Sequence, residues 1–453
     1  MLIKNSFLLL LAFASAFFVR VLTSVGIPSF INFAHFILIP AVAVYTVVQT
    51  RTKIRVYAVL DLLAGLMIML AVVIASAMLN KAGIINIFID YLLRAEWFIF
   101  LLAIISITPS EKSLTTLRYW LLSFAFINIL FAYVQKFILR WGEGMPAPGD
   151  FITGVFLGQG AGCDVSSGVS VIFAIYYFFN NSNGRKTNLW IKIAVVLVAI
   201  IHLFITDAKS SFIIFLVSLV LLMLTKLKLD NKSFTLVVQY SLILIVFSGV
   251  LYWAAHTIAP GLLTFSDPSQ RQDGFDLKFS VFSIFPSFYK SPLNWLLGLG
   301  PGHTVGRLGG WMLRDYADLL EPLGATIHPA SQAVWEAVRS TWIGDRSRLW
   351  SPFFGWAGIW GDWGLLGVAG YVYLLFITWR RFCINDASKW ILLSIPIFAC
   401  IFTQTEEPGY VLSVAAIIGL QWQEHQMEQQ KIRRSHLQNL HLSPNLHRLP
   451  ELN

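Results

Sequence analysis

Two basic side chains, Lys209 and Arg271, are the residues of this sequence best suited to binding an anion. Lys209 belongs to the segment 206–211, Thr-Asp-Ala-Lys-Ser-Ser, which separates the apolar runs 189–205 and 212–225. A charge at the mouth of membrane helices is costly, so it usually serves binding or chemistry. Arg makes bidentate contacts with phosphate, and Lys supplies a point charge. Together the two cations predict a diphosphate site at the membrane surface.

A structural alternative exists for both cations. Asp207 precedes Lys209 in the same turn, and Asp267 and Asp273 flank Arg271. Ion pairs with these carboxylates would account for the charges without any ligand. The sequence leaves both interpretations open. Asp207 is also a candidate for a polar group that lines a cavity.

Two histidines in the loop that follows, His303 and His328, are candidate general bases because histidine titrates near neutral pH. His303 ends a glycine-rich segment that begins at Gly298, and His328 precedes Pro329. A glycine-rich segment can direct backbone N–H groups at an anion, although Gly-Pro-Gly is also ordinary turn chemistry. The alternative for each histidine is an exposed loop residue with no chemical role.

Three further charged residues, Arg94, Glu96 and Asp362, lie inside apolar runs and are candidates for polar groups of a cavity. The alternative for Arg94 and Glu96 is a structural ion pair or a snorkelling arginine. Asp362 fits either a hydrogen bond to a neighbouring helix or a polar cavity. It lies in a run with a glycine at every third position from Gly355 to Gly367. That spacing predicts a flat face that another helix approaches closely.

The elements that position these residues are helices, because the composition indicates an all-α, polytopic membrane protein. Of the 453 residues, 57% are hydrophobic and 13% are charged, against roughly 25% charged in soluble domains. Apolar stretches of about 20 residues, the length of a membrane span, recur along the chain and predict about twelve spans. They are 5–23, 28–49, 56–79, 84–107, 116–138, 160–179, 189–205, 212–228, 234–258, 352–378, 390–404 and 408–421.

Charge in the connections predicts the orientation. Basic residues concentrate in alternate connections, at 51–55, 112–118, 185–186, 226–232, 380–389 and 431–434. The positive-inside rule then makes both termini cytoplasmic and puts the turn 206–211 and the long loop 259–351 on the outer face. The membrane domain is predicted to cover 1–422. The polar segment 423–453 is predicted to be a cytoplasmic tail, disordered beyond Leu437.

The long loop is expected to be an ordered, helical lid on the bundle. Phenylalanines at helical spacing from Phe275 to Phe285 predict a short helix on the membrane surface, which Pro286 would stop. Pro329 predicts the first turn of another helix with one apolar face that extends to Trp342.

The sequence lacks the motifs of several function classes. The sequence has no Walker A motif and no His/Cys spacing for zinc. Its three cysteines, Cys163, Cys383 and Cys400, form neither a metal motif nor a disulfide pattern. The net charge of +9 resides in short basic connections between spans, so it reports orientation in a membrane. We therefore predict no metal, no cofactor and no nucleic-acid partner.

The order of these features resembles the bacterial O-antigen ligase and O-antigen polymerase superfamily. Residues 207–212, Asp-Ala-Lys-Ser-Ser-Phe, resemble the family's outer hairpin with its Ser-Arg-Ser-like turn, with Lys in the arginine position. Arg271 then precedes Pro292-Leu293 and the segment 298–302, Gly-Leu-Gly-Pro-Gly, which resemble the family's Pro-Leu-x-Gly-x-Gly-x-Gly pattern.

The resemblance extends over roughly 150–380 and has one departure. Residues 361–367, Gly-Asp-Trp-Gly-Leu-Leu-Gly, match the family's Glu-x-Gly-x-x-Gly helix. The His-Asn segment that normally ends the loop is absent, and 350–352, Trp-Ser-Pro, stands near its place. The family's catalytic histidine therefore has no direct counterpart, and His303 or His328 would have to substitute.

The resemblance implies a metal-independent glycosyltransferase of the bacterial plasma membrane. It would polymerise or ligate glycans carried on undecaprenyl diphosphate, for exopolysaccharide or O-antigen synthesis. Lys209 and Arg271 would hold the diphosphate, and a histidine would deprotonate the acceptor hydroxyl. Implied partners are the polyprenyl-diphosphate-linked glycan, membrane lipids and polysaccharide-assembly proteins such as a chain-length regulator. The missing His-Asn segment favours a polymerase slightly over a ligase.

Two functions from other classes remain open. Arg94, Glu96 and Asp362 support a solute transporter, for example for an anion such as bicarbonate. A lipid-linked oligosaccharide flippase would move a similar ligand and would need no catalytic base.

Overall fold

The computed structural model describes residues 5–145, 148–158, 162–180, 188–226, 268–344 and 349–441, together with four isolated helical positions between 241 and 252. The protein is 80% helical and contains no strand in these ranges. The all-α class predicted from the composition is therefore confirmed. Apart from the four isolated positions, the predicted span 234–258 lies outside the described residues, as does the start of the loop at 259–267.

The helices before the long loop follow the predicted apolar runs. They are α1 (Asn5–Phe17), α2 (Val19–Ser24), α3 (His35–Val48), α4 (Lys53–Asn80), α5 (Ile84–Ser106), α6 (Glu111–Tyr133), α7 (Gly162–Phe179), α8 (Leu189–Ile205) and α9 (Lys209–Leu224). A short 3-10 helix at Ser29–Phe33 leads into α3, and one turn of π-helix at Val134–Ile138 prolongs α6.

The described part of the long loop, 268–344 and 349–351, contains six short α-helices, and three long ones follow it. They are α10 (Pro268–Phe279), α11 (Val281–Ser287), α12 (Asn294–Leu297), α13 (Leu313–Asp315), α14 (Ala317–Leu320), α15 (Pro329–Ser340), α16 (Gly355–Arg381), α17 (Asp386–Ile401) and α18 (Pro408–His441).

Within the described ranges, five helical segments are long and apolar enough to cross a membrane. They are Ser29–Val48, Lys53–Asn80, Glu111–Ile138, Gly162–Phe179 and Gly355–Arg381. The shorter apolar helices α1, α8 and α9 accompany them. This set is consistent with a helical membrane protein, whereas the number of about twelve spans stays a prediction.

Helix α5 lies at the centre of the bundle. It packs against α3, α4 and α18, and all its residues from Leu101 to Ser106 are buried. A helix that is enclosed on all sides is typical of a bundle interior. Any charge on α5 must therefore find its partners on the surrounding elements rather than in solvent.

Helix α16 is broken at Gly364, whose backbone has φ 66° and ψ −164°. Only glycine adopts this conformation readily. The N–H groups of Leu299 and Gly300 donate to the carbonyls of Gly361 and Asp362 at 2.7 and 3.1 Å. Gly358, Gly361 and Gly364 of this span thus pack against the loop, whereas Gly355 lies against Ala399 of α17. These two N–H groups satisfy helix carbonyls, so they are not directed at an anion.

The described part of the loop is helical and packed, and it departs from the expected helices in three details. Helix α15 begins at Pro329, as predicted, while Trp342 lies beyond its end. The phenylalanine-rich segment is divided at Ser280 into α10 and α11, and Pro286 lies inside α11 instead of ending the helix before it. A proline so close to the end of a short helix removes little hydrogen bonding.

Helix α18 runs without interruption from Pro408 to His441. The predicted boundary between a membrane domain at 1–422 and a tail at 423–453 therefore falls inside a helix. The helix also continues past Leu437, beyond which disorder was expected. Residues 442–453 lie outside the described part of the chain.

Candidate functional site

An ion pair closes the charged turn 206–211. Asp207 has a left-handed backbone with φ at 52°, and its Oδ1 lies 2.9 Å from Nζ of Lys209. The structural alternative for Lys209 is thus realised. Both side chains stay partly exposed, at 23% for Lys209 and 41% for Asp207. A pair this exposed is weak, so it can open to admit a ligand.

A buried carboxylate, Asp164, fixes the other half of the turn. Ser211 donates a hydrogen bond from Oγ to Oδ1 of Asp164 at 2.8 Å, and Oγ of Ser210 lies 3.4 Å from the same oxygen. Asp164 belongs to the first turn of α7, where the helix dipole favours a negative charge. The turn that presents Lys209 is therefore anchored to α7.

Arg271 lies at the start of a row of exposed aromatic rings on the loop. It is exposed on α10, and Phe275, Phe279 and Phe282 are 47%, 45% and 50% exposed. The ring centroids are 5.7 Å apart from Phe275 to Phe279 and 5.9 Å apart from Phe279 to Phe282. The contacts continue to Trp360 in α16, at 5.1 Å. Spacings of four residues put Arg271 on the same face of α10 as Phe275 and Phe279. We call Phe275, Phe279 and Phe282 the aromatic strip.

Lys209 and α10 lie at the same end of the bundle. Helices α9 and α17 pack together and run antiparallel, because Lys226, just after α9, pairs with Asp386 at the start of α17. Lys209 therefore lies level with Ile401, where α17 ends. Nζ of Lys278 in α10 donates to the carbonyl of Ile401 at 3.2 Å. Helix α10, which carries Arg271, thus ends beside α9 and α17, and the charged turn 206–211 lies at the start of α9.

The structure brings the two candidate bases together. The rings of His303 and His328 stack, with centroids 5.2 Å apart. Nδ1 of His303 lies 2.8 Å from the carbonyl of Leu299, and Nε2 lies 2.8 Å from the hydroxyl of Thr326. A carbonyl only accepts, so the proton of His303 is on Nδ1 and Nε2 is the acceptor. Its Nε2 carries no proton, as a base requires, but it already accepts a hydrogen bond from the hydroxyl of Thr326.

Burial keeps both imidazoles neutral at pH 7. It lowers the pKa of His303 below its ordinary value. It lowers the pKa of His328 to about 4, and the charges of His303 and Lys290 act in the same direction. Nδ1 of His328 accepts from the N–H of Ala330 at 3.1 Å and so caps α15. The cap uses the one nitrogen of neutral His328 that could accept a proton.

The histidine pair lies away from Arg271. The ring of His328 contacts that of Phe288, with centroids 5.6 Å apart. Helices α10 and α11 connect Arg271 to Phe288. Trp342, two residues beyond the end of α15, donates from Nε1 to Oδ2 of Asp273 in α10 at 2.7 Å, so α15, about 18 Å long at 1.5 Å per residue, separates His328 from the turn that carries Arg271. The predicted bases and the predicted diphosphate arginine therefore lie at opposite ends of this helix pair.

The buried charges of the bundle form one network, which we call the Arg94 cluster. Nη1 of Arg94 lies 2.5 Å from Oδ2 of Asp90, Nη2 lies 2.6 Å from Oδ2 of Asp362, and Nε lies 2.9 Å from Oε1 of Glu406. All four side chains have 0% exposure. The guanidinium also lies over the ring of Trp363, 4.4 Å from its centroid. Two charges that the sequence identified separately are thus direct partners.

Loop residues Thr304 and Arg307 complete this network. The N–H and Oγ of Thr304 donate to Oδ1 of Asp362 at 2.8 and 2.7 Å. The N–H of Arg307 donates to Oε2 of Glu406. At 1.5 Å per residue, Arg94 lies about 15 Å along α5 from its start. The long loop therefore reaches into the bundle.

Glu96 is not the partner of Arg94. Its Oε1 lies 2.5 Å from Nδ1 of His35 in α3, and the two side chains are 2% and 4% exposed. The contact joins α3 to α5. Arg94 and Glu96 thus have separate buried ionic partners and do not form a pair with each other.

Sequence reasoning missed several residues on which this arrangement depends. Asp90, Glu406 and Asp164 are acids within or at the ends of apolar runs, which is the same signal that identified the buried charges found from the sequence. Asn86 accepts from the N–H of Thr326 at 2.8 Å and donates to its carbonyl at 2.9 Å. No local pattern reveals such an anchor, because its partners are distant in sequence.

A separate cavity of about 540 Å³ opens at the end of the bundle opposite the loop. Four of the charged side chains that line it form two ion pairs. Arg118 lies 2.6 Å from Glu424, and Lys431 lies 3.0 Å from Glu111. The cavity is therefore remote from the predicted diphosphate residues and offers little uncompensated charge.

Two further searches give no assignment. Within the described ranges, no three His, Cys, Asp or Glu side chains are grouped so as to hold a metal ion. A scan against protein-family models finds no match to the chain, and a search of curated proteins finds none either. The geometry of the site is therefore the basis for a functional proposal.

Proposed function

We propose that this protein is a membrane glycosyltransferase that uses polyprenyl-diphosphate-linked glycans as donors. It polymerises or ligates these glycans at the outer face of the bacterial plasma membrane, for exopolysaccharide or O-antigen synthesis. The donor is an amphiphile, with a long apolar tail joined to a charged diphosphate. A surface that binds it needs an apolar track that ends in a cation.

The aromatic strip with Arg271 at its start is the observation that carries this proposal. Exposed apolar patches commonly mark binding or membrane-contact surfaces. The polyprenyl tail packs along Phe275, Phe279 and Phe282, whose rings are about half exposed. The diphosphate then lies at Arg271. Lys209, at the same end of the bundle, supplies a second cation once its exposed pair with Asp207 opens.

In the transfer step, the acceptor hydroxyl oxygen bonds to the anomeric carbon of the donor sugar. The bond from that carbon to the diphosphate oxygen breaks, and polyprenyl diphosphate leaves with the electron pair. Lys209 and Arg271 stabilise the negative charge that develops on it. The hydroxyl proton passes to a base, and no other reactant is needed for the balance.

Asp207 is our candidate for that base. The histidines lie at the other end of α10 and α11 from Arg271, so they are remote from a diphosphate bound there. Asp207 is 41% exposed beside Lys209, so a carboxylate oxygen is accessible where the leaving group would lie. His303 and His328 then stabilise the loop and do not contact the reacting atoms.

Contacts among the basic connections support the proposed orientation. Arg381 lies 2.7 Å from Asp61, and Lys431 lies 3.0 Å from Glu111. These pairs gather basic connections at the end opposite the loop. By the positive-inside rule that end faces the cytoplasm and the loop faces outward. Assembly proteins such as a chain-length regulator would meet the loop end, where the polymer emerges.

A transfer assay in proteoliposomes with a polyprenyl-diphosphate-linked glycan tests the proposal. We expect Arg271→Ala and Asp207→Asn to abolish chain growth. The matched control Arg339→Ala removes another exposed loop arginine and should leave growth unchanged. His303→Gln should also retain growth if the protein folds. Long-chain product from Arg271→Ala would contradict the proposed diphosphate site.

A solute transporter is the second candidate, and the Arg94 cluster with the break at Gly364 supports it. Buried charges and interrupted helices are typical of transport pathways. Uptake of an anion such as bicarbonate into proteoliposomes without any lipid-linked glycan would favour this function. Movement of an intact lipid-linked glycan without lengthening would identify a flippase.

A further inference from the structure

The Arg94 cluster is out of charge balance. One guanidinium meets the carboxyl groups of Asp90, Asp362 and Glu406, and all these side chains have 0% exposure. The nearby Arg307 has a carboxylate of its own, so it adds no net positive charge. One positive and three negative charges would leave two negative charges uncompensated. Protonation of a carboxyl group is easier than burial of an unpaired charge.

Two of the three carboxyl groups are fully engaged as acceptors. Oδ1 of Asp362 accepts from the N–H and Oγ of Thr304, and Oδ2 accepts from Arg94. Oε1 of Glu406 accepts from Arg94, and Oε2 accepts from the N–H of Arg307. A proton on any of these four oxygens would displace a donor. Neither group therefore has an oxygen free to carry a proton.

Asp90 is the carboxyl group of the cluster that has an oxygen without a hydrogen-bond donor. Its Oδ2 accepts from Arg94 at 2.5 Å and from Nε1 of Trp363 at 2.7 Å. Its Oδ1 is buried and has no hydrogen-bond partner among the described residues. A buried charged oxygen without a donor is strongly disfavoured. A proton on Oδ1 removes that charge and leaves both hydrogen bonds to Oδ2 in place.

We propose that Asp90 holds a proton on Oδ1, which makes the Arg94 cluster a proton-binding site inside the bundle. The charged groups that face Asp90 are Arg94 on the same helix, Asp362 from α16 and Glu406 from the turn before α18. The His35–Glu96 pair joins α3 to α5 two residues beyond Arg94. The neutral hydroxyl has no acceptor, which is a smaller penalty than an unpaired charge.

The bound proton is connected to the docking of the loop. The carboxylates that share Arg94 with Asp90 also hold Thr304 and Arg307. Loss of the proton would add a negative charge to Arg94 and weaken its attraction for Asp362 and Glu406. The inference holds whether the protein transfers a glycan or moves a solute, because it depends only on the composition of the cluster.

Isosteric amide substitutions test the proposal. Asp90→Asn replaces one neutral group by another, so we expect its thermal unfolding midpoint in detergent to match that of the wild type. Asp362→Asn removes an ionised acceptor from the cluster and should lower the midpoint by about 3–5 °C. Infrared spectroscopy should show the carbonyl band of a protonated carboxylic acid in the wild type that disappears in Asp90→Asn.

The proposal is overturned if Asp90→Asn unfolds as early as Asp362→Asn or fails to fold. It is also overturned if the wild type lacks the carboxylic-acid band, or if the band persists unchanged in Asp90→Asn. The infrared measurement on the wild type does not depend on the stability of either variant.

Discussion

Substitution of His328 by Asn separates the two roles that a histidine can have at this position. Nδ1 of His328 accepts from the N–H of Ala330 and caps α15. Asparagine is a good N-cap residue, so His328→Asn keeps the acceptor and removes the titratable ring. His328→Ala removes both, and loss of the cap alone costs about 1 kcal/mol.

The ring makes the stability of the wild-type protein depend on pH. Its pKa is about 4 in the folded protein, against an ordinary value of 6.5, so the folded state binds this proton less readily than the unfolded chain. The contribution to stability is complete above pH 6.5 and is lost as the pH falls from 6.5 to about 4. The difference between the two pKa values corresponds to about 3 kcal/mol in the free energy of unfolding. Because the ring is partly exposed, we expect roughly 1–2 kcal/mol after solvent screening.

Unfolding in detergent at pH 7 and pH 4.5 measures this difference. Between the two pH values, the wild type should lose about 1–2 kcal/mol more stability than His328→Asn. At pH 7 the Asn variant should match the wild type, and His328→Ala should be weaker by about 1 kcal/mol. Equal acid sensitivity of the wild type and the Asn variant would refute this account of His328.

Two further substitutions test how the loop is attached to the bundle. In Gly364→Ala the new Cβ would lie 2.3 Å from the carbonyl carbon of Leu296, whereas at Gly370 in the same helix nothing lies within 4 Å. We expect Gly364→Ala to lose about 3 kcal/mol or more and Gly370→Ala to fold normally, as measured by the yield of monodisperse protein and the unfolding midpoint. Asn86→Ala leaves the N–H and carbonyl of Thr326 without their partner and should cost about 2–4 kcal/mol. Limited proteolysis should then cut its loop faster, and cleavage at the wild-type rate would contradict the anchoring role.

The positions of the helices follow from the sequence because each long apolar run must be enclosed or lie in lipid. Helix α8 covers 189–205, as predicted, and α5 covers 84–106 against a predicted 84–107. The break at Gly364 was not foreseeable, since a glycine in a row of similar glycines gives no local signal of an unwound backbone. The loop packs against this glycine row only in the folded protein, so the contact is not visible in the local sequence.

The candidate site was predictable in its residue types and not in its arrangement. Arg94 and Asp362 stand out as charges within apolar runs, yet their contact joins positions 268 residues apart. Asp90 also lies within an apolar run, but it was not among the predicted site residues. The histidines are close to each other, but their hydrogen bonds and their distance from Arg271 depend on tertiary packing, which spacing along the chain does not encode.

The lipid that binds to the purified protein is the most direct test of the proposed function. Native mass spectrometry should detect a polyprenyl diphosphate on the wild-type protein and on Arg339→Ala. It should be lost from Arg271→Ala and from Phe279→Asp, which places a charge in the aromatic strip. Equal retention by Arg271→Ala and the wild type, or binding of phospholipid alone when polyprenyl diphosphate is supplied, would contradict the proposed donor site.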